Sequence, residues 1–276
     1  MDINEKLDLL KTKLKKLGSV AVAFSGGVDS TFLLRVAHDV LKDKVLAVTA
    51  RSSTYPEREY REAVEYVEML GVKQLVIISE ELDIDGFSAN PVNRCYYCKK
   101  ELFTKITELA KQNNIEYIAD GSNVDDLGDY RPGRQATEEL HVVSPLKEAG
   151  MTKEDIRALS KEMGLPTWDK PAFACLASRF PYGQNITREK LEMVDKAEQF
   201  LFDQGFKQVR VRHHGDVARI EVPASERCKF FNEELMDSVY KKFKEIGFMY
   251  TSLDLKGYRT GSMNETLFKE QLIVDS

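Results

Sequence analysis

The chain has 276 residues, of which 42% are apolar and 31% charged, and a formal net charge of −5. That length supports one or two domains with a core large enough to fold without disulfides or dimerisation. The composition excludes a mostly disordered chain, and the mild acidity argues against non-specific nucleic-acid binding while leaving room for a small anionic substrate.

No apolar run approaches the roughly eighteen uncharged residues that a membrane span requires. Charges interrupt every apolar stretch between Met1 and Gly18, so a secretory signal is not expected there. Four cysteines in a chain of this length do not make a disulfide scaffold, and a reducing cytoplasm is the expected compartment.

Ile3, Leu7, Leu10, Leu14 and Leu17 recur at helical spacing and predict an amphipathic first helix closed by Gly18. Apolar strands are predicted at 19–24, 44–50, 73–78 and 115–120, with helices at 29–41, 57–70 and 97–112 between them. Near-continuous apolar strands separated by helices predict an α/β fold, a Rossmann-like parallel sheet covered on both faces. Ligands of such sheets lie beyond the C-terminal strand ends, which assembles Ser25–Gly27, Arg51–Ser53, the 80–94 loop and the 121–134 segment along one edge.

A helix over 152–163 is expected next, with Thr152 as N-cap and Asp155 closing a capping box. The segment 164–183, punctuated by Pro166, Pro171 and Pro181, reads as an ordered site loop. The expected domains are 1–185 and 186–276. The second follows the order helix (188–204), strand (208–213), hairpin at Gly215–Asp216, strand (217–222), helix (225–246) and strand (250–255). Its alternating strands predict a small α+β domain whose sheet has one wet face.

SGGVDS, Ser25 to Ser30, lies between a buried strand and a helix. Gly26 and Gly27 let an anion approach the main chain, and the helix N–H groups with the hydroxyls of Ser25 and Ser30 supply donors. Asp29 would repel phosphate alone and makes sense facing Mg²⁺. The plain alternative is a tight turn that caps the next helix. In GSNVDDLGDYRPG, Gly121 to Gly133, Asp125, Asp126 and Asp129 could complete a metal and water shell, and Arg131, with Arg134 just after the string, could face an anion. A solvated charged loop explains the same residues.

Cys95 and Cys98 stand at C-x-x-C spacing near a helix start beside Arg94, Lys99 and Lys100, with Cys175 far along the chain. A redox dithiol, a zinc site drawing on Cys228, inert thiols and a three-thiolate iron–sulfur cluster with one open iron all remain open on the residues alone.

The SGGVDS string resembles the signature of the PP-loop ATP pyrophosphatases, which cleave ATP between the α and β phosphates and adenylate an oxygen of their substrate. That resemblance implies that Ser25, Gly26, Gly27, Asp29 and Ser30 hold the pyrophosphate portion of ATP. It also implies Ala23 and Phe24 near the adenosine, Thr49 to Arg51 beside adenine and ribose, and Gly121, Asp129 and Arg131 on the same rim.

Over about 250 residues, AFSGGVDS, GSNVDDLGDYRPG, CLASRFPYG, VRVRHHGDVARIEVP and DLKGYRTGSMNETL make the chain similar to the LarE family, the sulfur-insertion enzymes of nickel-pincer cofactor synthesis. The resemblance implies adenylation of the carboxylates of pyridinium-3,5-biscarboxylic acid mononucleotide and replacement of oxygen by sulfur. Cys175 corresponds to the sulfur-donating cysteine of one branch. Cys95 and Cys98, which that branch lacks, imply the branch in which three cysteines hold a 4Fe-4S cluster, the thiols meeting at the mouth of the ATP site.

The resemblance also carries Arg210 and Arg212 to the substrate's nucleotide phosphate, and Glu221 to an acidic position near substrate or a divalent metal. Arg179 and Lys99 or Lys100 become partners for the carboxylate or the leaving phosphate. Implied partners are the small mononucleotide, a sulfide donor protein and further copies of the chain in a homo-oligomer. A tRNA thiolase with the same adenylation chemistry and a non-catalytic nucleotide-binding cluster sensor are the rival readings. His38, His141, His213, His214, Cys228, Trp168 and the pair Tyr96–Tyr97 are expected to be structural, Cys228 as a packed thiol and His141 at the start of a short strand.

Overall fold

The computed structural model describes residues 1–128, 133–172, 174–259, 261, 262 and 265, so Asp129 and Arg131 lie outside the described residues. The chain divides into two compact units. The first takes Met1–Ser52, Glu57–Glu80 and Asn93–Phe173, and the second takes Ser53–Pro56, Glu81–Val92 and the described part of Ala174–Ser276. The division differs from a single boundary at 185 because the loops at 53–56 and 81–92 bond to the Cys175 segment. Leu176 N–H donates to Thr54 at 2.8 Å, Ile186 N–H to Ser88 at 2.8 Å and Gly183 N–H to Asn90 at 3.1 Å.

The first unit runs α1 (Ile3–Leu17), β1 (Val20–Ala23), α2 (Val28–Leu41), β2 (Val45–Arg51), α3 (Glu57–Leu70) and β3 (Lys73–Ile78). It continues through α4 (Arg94–Gln112), β4 (Tyr117–Ala119), α5 (Gly133–Glu139), α6 (Pro145–Glu148) and α7 (Lys153–Glu162). The four strands form a parallel sheet in the order β3-β2-β1-β4. Successive residues of β1 and β2 serve opposite faces, which is why these strands read as unbroken apolar runs. Val20, Val22, Val45 and Ala47 pack with α1, α2, α3 and α7, while Ala21, Leu46 and Val48 pack with Phe103, Ile106 and Ala110 of α4.

From β1 the chain moves outward to β2 and β3, then returns across β1 to place β4 on its other side. The order therefore reverses between β1 and β4, and the crevice beyond their C-terminal ends is where an open parallel sheet takes a ligand. α7 carries the expected capping box: Thr152 Oγ1 accepts from Asp155 N–H and Asp155 returns a bond to Thr152 N–H. Helix α4 starts at Arg94, ahead of the expected Tyr97, so both Cys95 and Cys98 lie within its first turns. His141 is a turn residue with φ +52°, not the start of a strand.

In the second unit α8 (Arg188–Asp203) precedes the antiparallel hairpin β5 (Arg210–His214) and β6 (Val217–Glu221). α9 (Glu233–Ile246) leads to β7 (Tyr250–Leu253), which pairs parallel to β6. The helix expected over 225–246 is divided into a 3₁₀ segment, Ala224–Phe231, and α9. Asn232 separates them because its side chain accepts from Leu235 N–H at 2.9 Å and caps the new helix. Cys228 lies on the 3₁₀ segment and is exposed, not packed. The expected wet sheet face is polar yet covered: Arg210 and Arg212 are each 5% exposed and Glu221 is fully buried.

Candidate functional site

Strand β1 ends at Ala23, and the loop that follows turns through Gly26 into α2, whose N-cap is Gly27. Gly26 adopts φ +63°, and a Cβ there would stand 3.0 Å from Cβ of Ala63, so this position requires glycine twice over. Ser25 N–H donates to Ser30 Oγ at 3.3 Å, the two hydroxyls are 3.1 Å apart, and Ser30 Oγ–H donates to the Gly27 carbonyl at 3.2 Å. The first intrahelical bond is Thr31 N–H to Gly27. The N–H groups of Val28, Asp29 and Ser30 therefore precede the helical ladder, donors of the kind that helix N-termini offer to anions.

Gly121, just beyond β4, closes the crevice from its other side. A Cβ on it would lie 3.1 Å from Ser30 N and 3.3 Å from Asp29 Cβ. The structure thus brings the SGGVDS loop and Gly121 together. Phe24 is buried and its ring stacks on Tyr66 with centroids 6.0 Å apart. The same burial pushes the Tyr66 hydroxyl up to about 12. Thr49 is buried and its hydroxyl accepts from Gln74, whereas Arg51 is exposed, pairs with Glu57 at 3.4 Å and lies over the ring of Tyr60.

Asp29 is ion-paired with the ammonium of Lys153 and accepts from Asn123 Nδ2 at 3.3 Å. Asp125 and Asp126, expected in a metal shell, serve the backbone: Asp125 accepts from Lys153 N–H at 2.7 Å and Asp126 from Asn123 N–H at 3.0 Å. Lys153 and Asn123 had no local sequence signal of their own. Only the docking of the α7 N-terminus against the 121–126 turn brings them to Asp29. Arg134 pairs with Glu138 one helical turn on.

The thiols divide between the units. Cys95 and Cys98 belong to the first and Cys175 to the second, and no group of three or more His, Cys, Asp or Glu side chains is gathered to hold a metal among the described residues. Lys99 packs its stem against Gly133, where a Cβ would fall 2.6 Å from Lys99 Cδ. Lys100 bonds to Tyr96 Oη at 2.8 Å and Glu139 at 3.1 Å. These hydrogen bonds raise its pKa, and those from Lys100 and Tyr96 lower that of Glu139.

In the second unit Arg179 is 1% exposed and Nη1 donates to the carbonyls of Ala174 and Cys175 at 2.6 and 3.2 Å. Expected at a substrate carboxylate or leaving phosphate, it is found shaping the Cys175 segment from inside. Arg210, Arg212 and His214 alternate onto one face of β5 opposite Glu221, Arg219 and Val217 of β6. Arg212 donates to Glu221 at 2.7 Å, Ser262 at 2.8 Å and the Ser178 carbonyl at 3.0 Å, while Arg219 donates to Glu221 at 2.9 Å. Glu221 is thus held between two guanidiniums and not in a carboxylate group suited to a divalent metal.

Arg210 donates to the Val209 carbonyl and lies 5.3 Å from the Tyr258 ring. Burial, then the like charge of Arg179, pulls its pKa down to about 10. Nε of Arg212 and Nε of Arg219 are buried donors with no acceptor among the described residues. A covered, guanidinium-rich face with unsatisfied donors suits an anion delivered by a ligand.

The NAD synthase family matches residues 2–113. An uncharacterised protein of Synechocystis sp. is 41% identical over 267 residues, covering 97% of this chain and all of the relative. The pyridinium-3,5-bisthiocarboxylic acid mononucleotide synthase of Lactiplantibacillus plantarum is 41% identical over 266 residues, covering 95% of each chain. An uncharacterised protein of Methanocaldococcus jannaschii is 30% identical over 93% of this chain and 98% of its own length.

Proposed function

Because the chain belongs to the family of the pyridinium-3,5-bisthiocarboxylic acid mononucleotide synthase, we propose that it uses ATP to convert carboxylates of the pyridinium biscarboxylic acid mononucleotide into thiocarboxylates. The observation that carries this reading is the glycine loop opening α2 at the point where the sheet order reverses, with Gly121 against Ser30 N. Such a crevice accepts the phosphates of a nucleotide through backbone N–H groups rather than through side-chain charge alone.

In the first half-reaction a carboxylate oxygen attacks the α phosphorus of ATP. The bond from that phosphorus to the oxygen bridging to the β phosphorus breaks, and pyrophosphate leaves. The N–H groups of Val28, Asp29 and Ser30 with the hydroxyls of Ser25 and Ser30 stabilise the charge that develops. Asp29 would hold Mg²⁺ with the phosphates, and Lys153 would neutralise the same region. In the second half-reaction a sulfide attacks the acyl carbon, the carbon–oxygen bond to AMP breaks, and AMP departs with one of the original carboxylate oxygens. Arg210 and Arg212 orient the substrate through its phosphate dianion.

Cys95, Cys98 and Cys175 would be the thiolates that hold a 4Fe-4S cluster, and the chemistry such a cluster would supply is a source of sulfide. The transfer step requires only a sulfide nucleophile, whatever holds it. Incubation with MgATP, sulfide and the biscarboxylate mononucleotide tests the reading. Pyrophosphate and AMP released together with the mass gain of an oxygen-to-sulfur exchange support it. Pyrophosphate release that does not depend on the carboxylate substrate refutes it.

A further inference from the structure

Lys170 lies in the proline-rich segment before Cys175, and nothing in the chemistry above uses it. Its side chain is 13% exposed and its ammonium stands 2.6 Å from both Glu59 and Glu62, which project from α3. The same nitrogen donates to the Gly26 carbonyl at 3.3 Å. Two carboxylates already balance this cation, so it is not a spare positive charge for a phosphate. It is a donor held in place, and what it holds is the phosphate loop.

A trans peptide is planar, so the Gly26 carbonyl and the Gly27 N–H point in opposite directions. Fixing the carbonyl toward Lys170 turns the Gly27 N–H away from it. Gly26 itself is pressed on Ala63, the residue after Glu62, so α3 supports the loop through Cα and anchors the lysine that fixes the carbonyl. Arg157 in α7 donates to the carbonyls of Trp168 and Lys170 at 2.7 Å each, and so sets the backbone from which Lys170 reaches.

We propose that Lys170 is a positioning residue that locks the Gly26–Gly27 peptide so that the Gly27 N–H is presented to the pyrophosphate portion of ATP. The proposal rests on the ATP-dependent reading given above. Without the clamp, the peptide of a residue as mobile as glycine samples orientations that withdraw the donor.

Calorimetric titration of the full chain with inorganic pyrophosphate and, separately, with AMP tests it. Lys170→Met is expected to weaken pyrophosphate about tenfold, the effect of losing one hydrogen bond to a charged group, and to leave AMP unchanged. Lys170→Arg restores most of the affinity, and Arg157→Gln shifts pyrophosphate in the same direction by a smaller factor. If Lys170→Met does not fold, as judged by circular dichroism, the Arg157→Gln titration decides. Pyrophosphate binding unchanged in the folded variant, or pyrophosphate and AMP weakened in step, overturns the clamp. Wild-type protein that binds neither ligand overturns the ATP reading and the clamp with it. Wild-type binding with an indifferent Lys170→Met overturns the clamp alone.

Discussion

The guanidinium of Arg179 and the carboxylate of Glu198 meet edge to edge inside the second unit, Nε to Oε1 and Nη2 to Oε2 at 2.8 Å each. Burial acts against both charges, but each partner's field outweighs it: Arg179 titrates above the ordinary guanidinium range and Glu198 below the usual carboxylate range. Glu198 Oε1 also accepts from Val211 N–H at 2.8 Å, which ties α8 to β5. One ion pair therefore links the carbonyls of Ala174 and Cys175 to the sheet that carries Arg210 and Arg212.

Breaking that pair from one side leaves an uncompensated buried charge. Glu198→Gln and Arg179→Met are each expected to cost about 3–5 kcal/mol of unfolding free energy, read from urea midpoints. The double variant Arg179→Met with Glu198→Leu should recover much of the loss. Equal loss in the single and double variants would show that the carbonyl contacts, and not the charges, matter.

Gly121→Ala should leave stability nearly unchanged and weaken ATP, because its Cβ would lie 3.1 Å from Ser30 N and displace the start of α2. A reduction of about tenfold in ATP affinity is expected, the scale of losing one donor to a charged group. Titration with ATP, alongside thermal melting, checks both halves.

Asp29→Asn separates metal from phosphate. ATP affinity in the wild type should rise on adding Mg²⁺, and that increment should disappear in the variant, whereas Lys153→Met should weaken ATP with and without the metal. Titrations at matched ionic strength read the difference, since exposed ion pairs respond to salt.

His213 is buried between Phe180 and Phe248, with centroid distances of 5.1 and 5.5 Å, and burial depresses its pKa. The native state consequently binds fewer protons than the unfolded chain once the pH falls below the ordinary imidazole value of about 6.5. Its contribution to stability is complete above that value and is lost as the pH falls toward the lower folded pKa, with a slope approaching about 1.4 kcal/mol per pH unit. His213→Phe should flatten the wild-type decline in urea midpoint between pH 7.5 and 5.5, pH values chosen to bracket about 6.5. Part of the decline should remain, because burial depresses His214 as well.

Cys175→Ala is expected to keep ATP binding and abolish sulfur transfer. Anaerobic purification with iron and sulfide quantified per chain, for the wild type and for Cys95→Ala, Cys98→Ala and Cys175→Ala, distinguishes the sulfur sources. Loss of iron in all three variants supports the three-thiolate cluster. Iron retained in any one of them removes that thiol from the set.

Local signals carried the first unit well. Val20 to Ala23 and Val45 to Val48 are apolar on both faces, Gly26 and Gly27 follow a strand, and Thr152 with Asp155 forms the predicted capping box. The split of the 225–246 segment was less legible, because Asn232 can cap a helix or be carried within one. Lys170 and Glu198 were invisible for a different reason: a charged residue in a loop or on a helix reads as solvated until its partner, remote in sequence, is known.

Periodicity and glycine placement dictate strand, loop and helix because backbone preference and burial act over a few residues, and the phosphate loop belongs to that range. Alternating arginines on β5 predicted a solvated face, yet that face is covered, with Glu221 fixed between Arg212 and Arg219. Whether a charge is wet or buried depends on which distant segment covers it. Coulomb attraction between such partners depends on distance in space and not along the chain, so only the tertiary structure decided it.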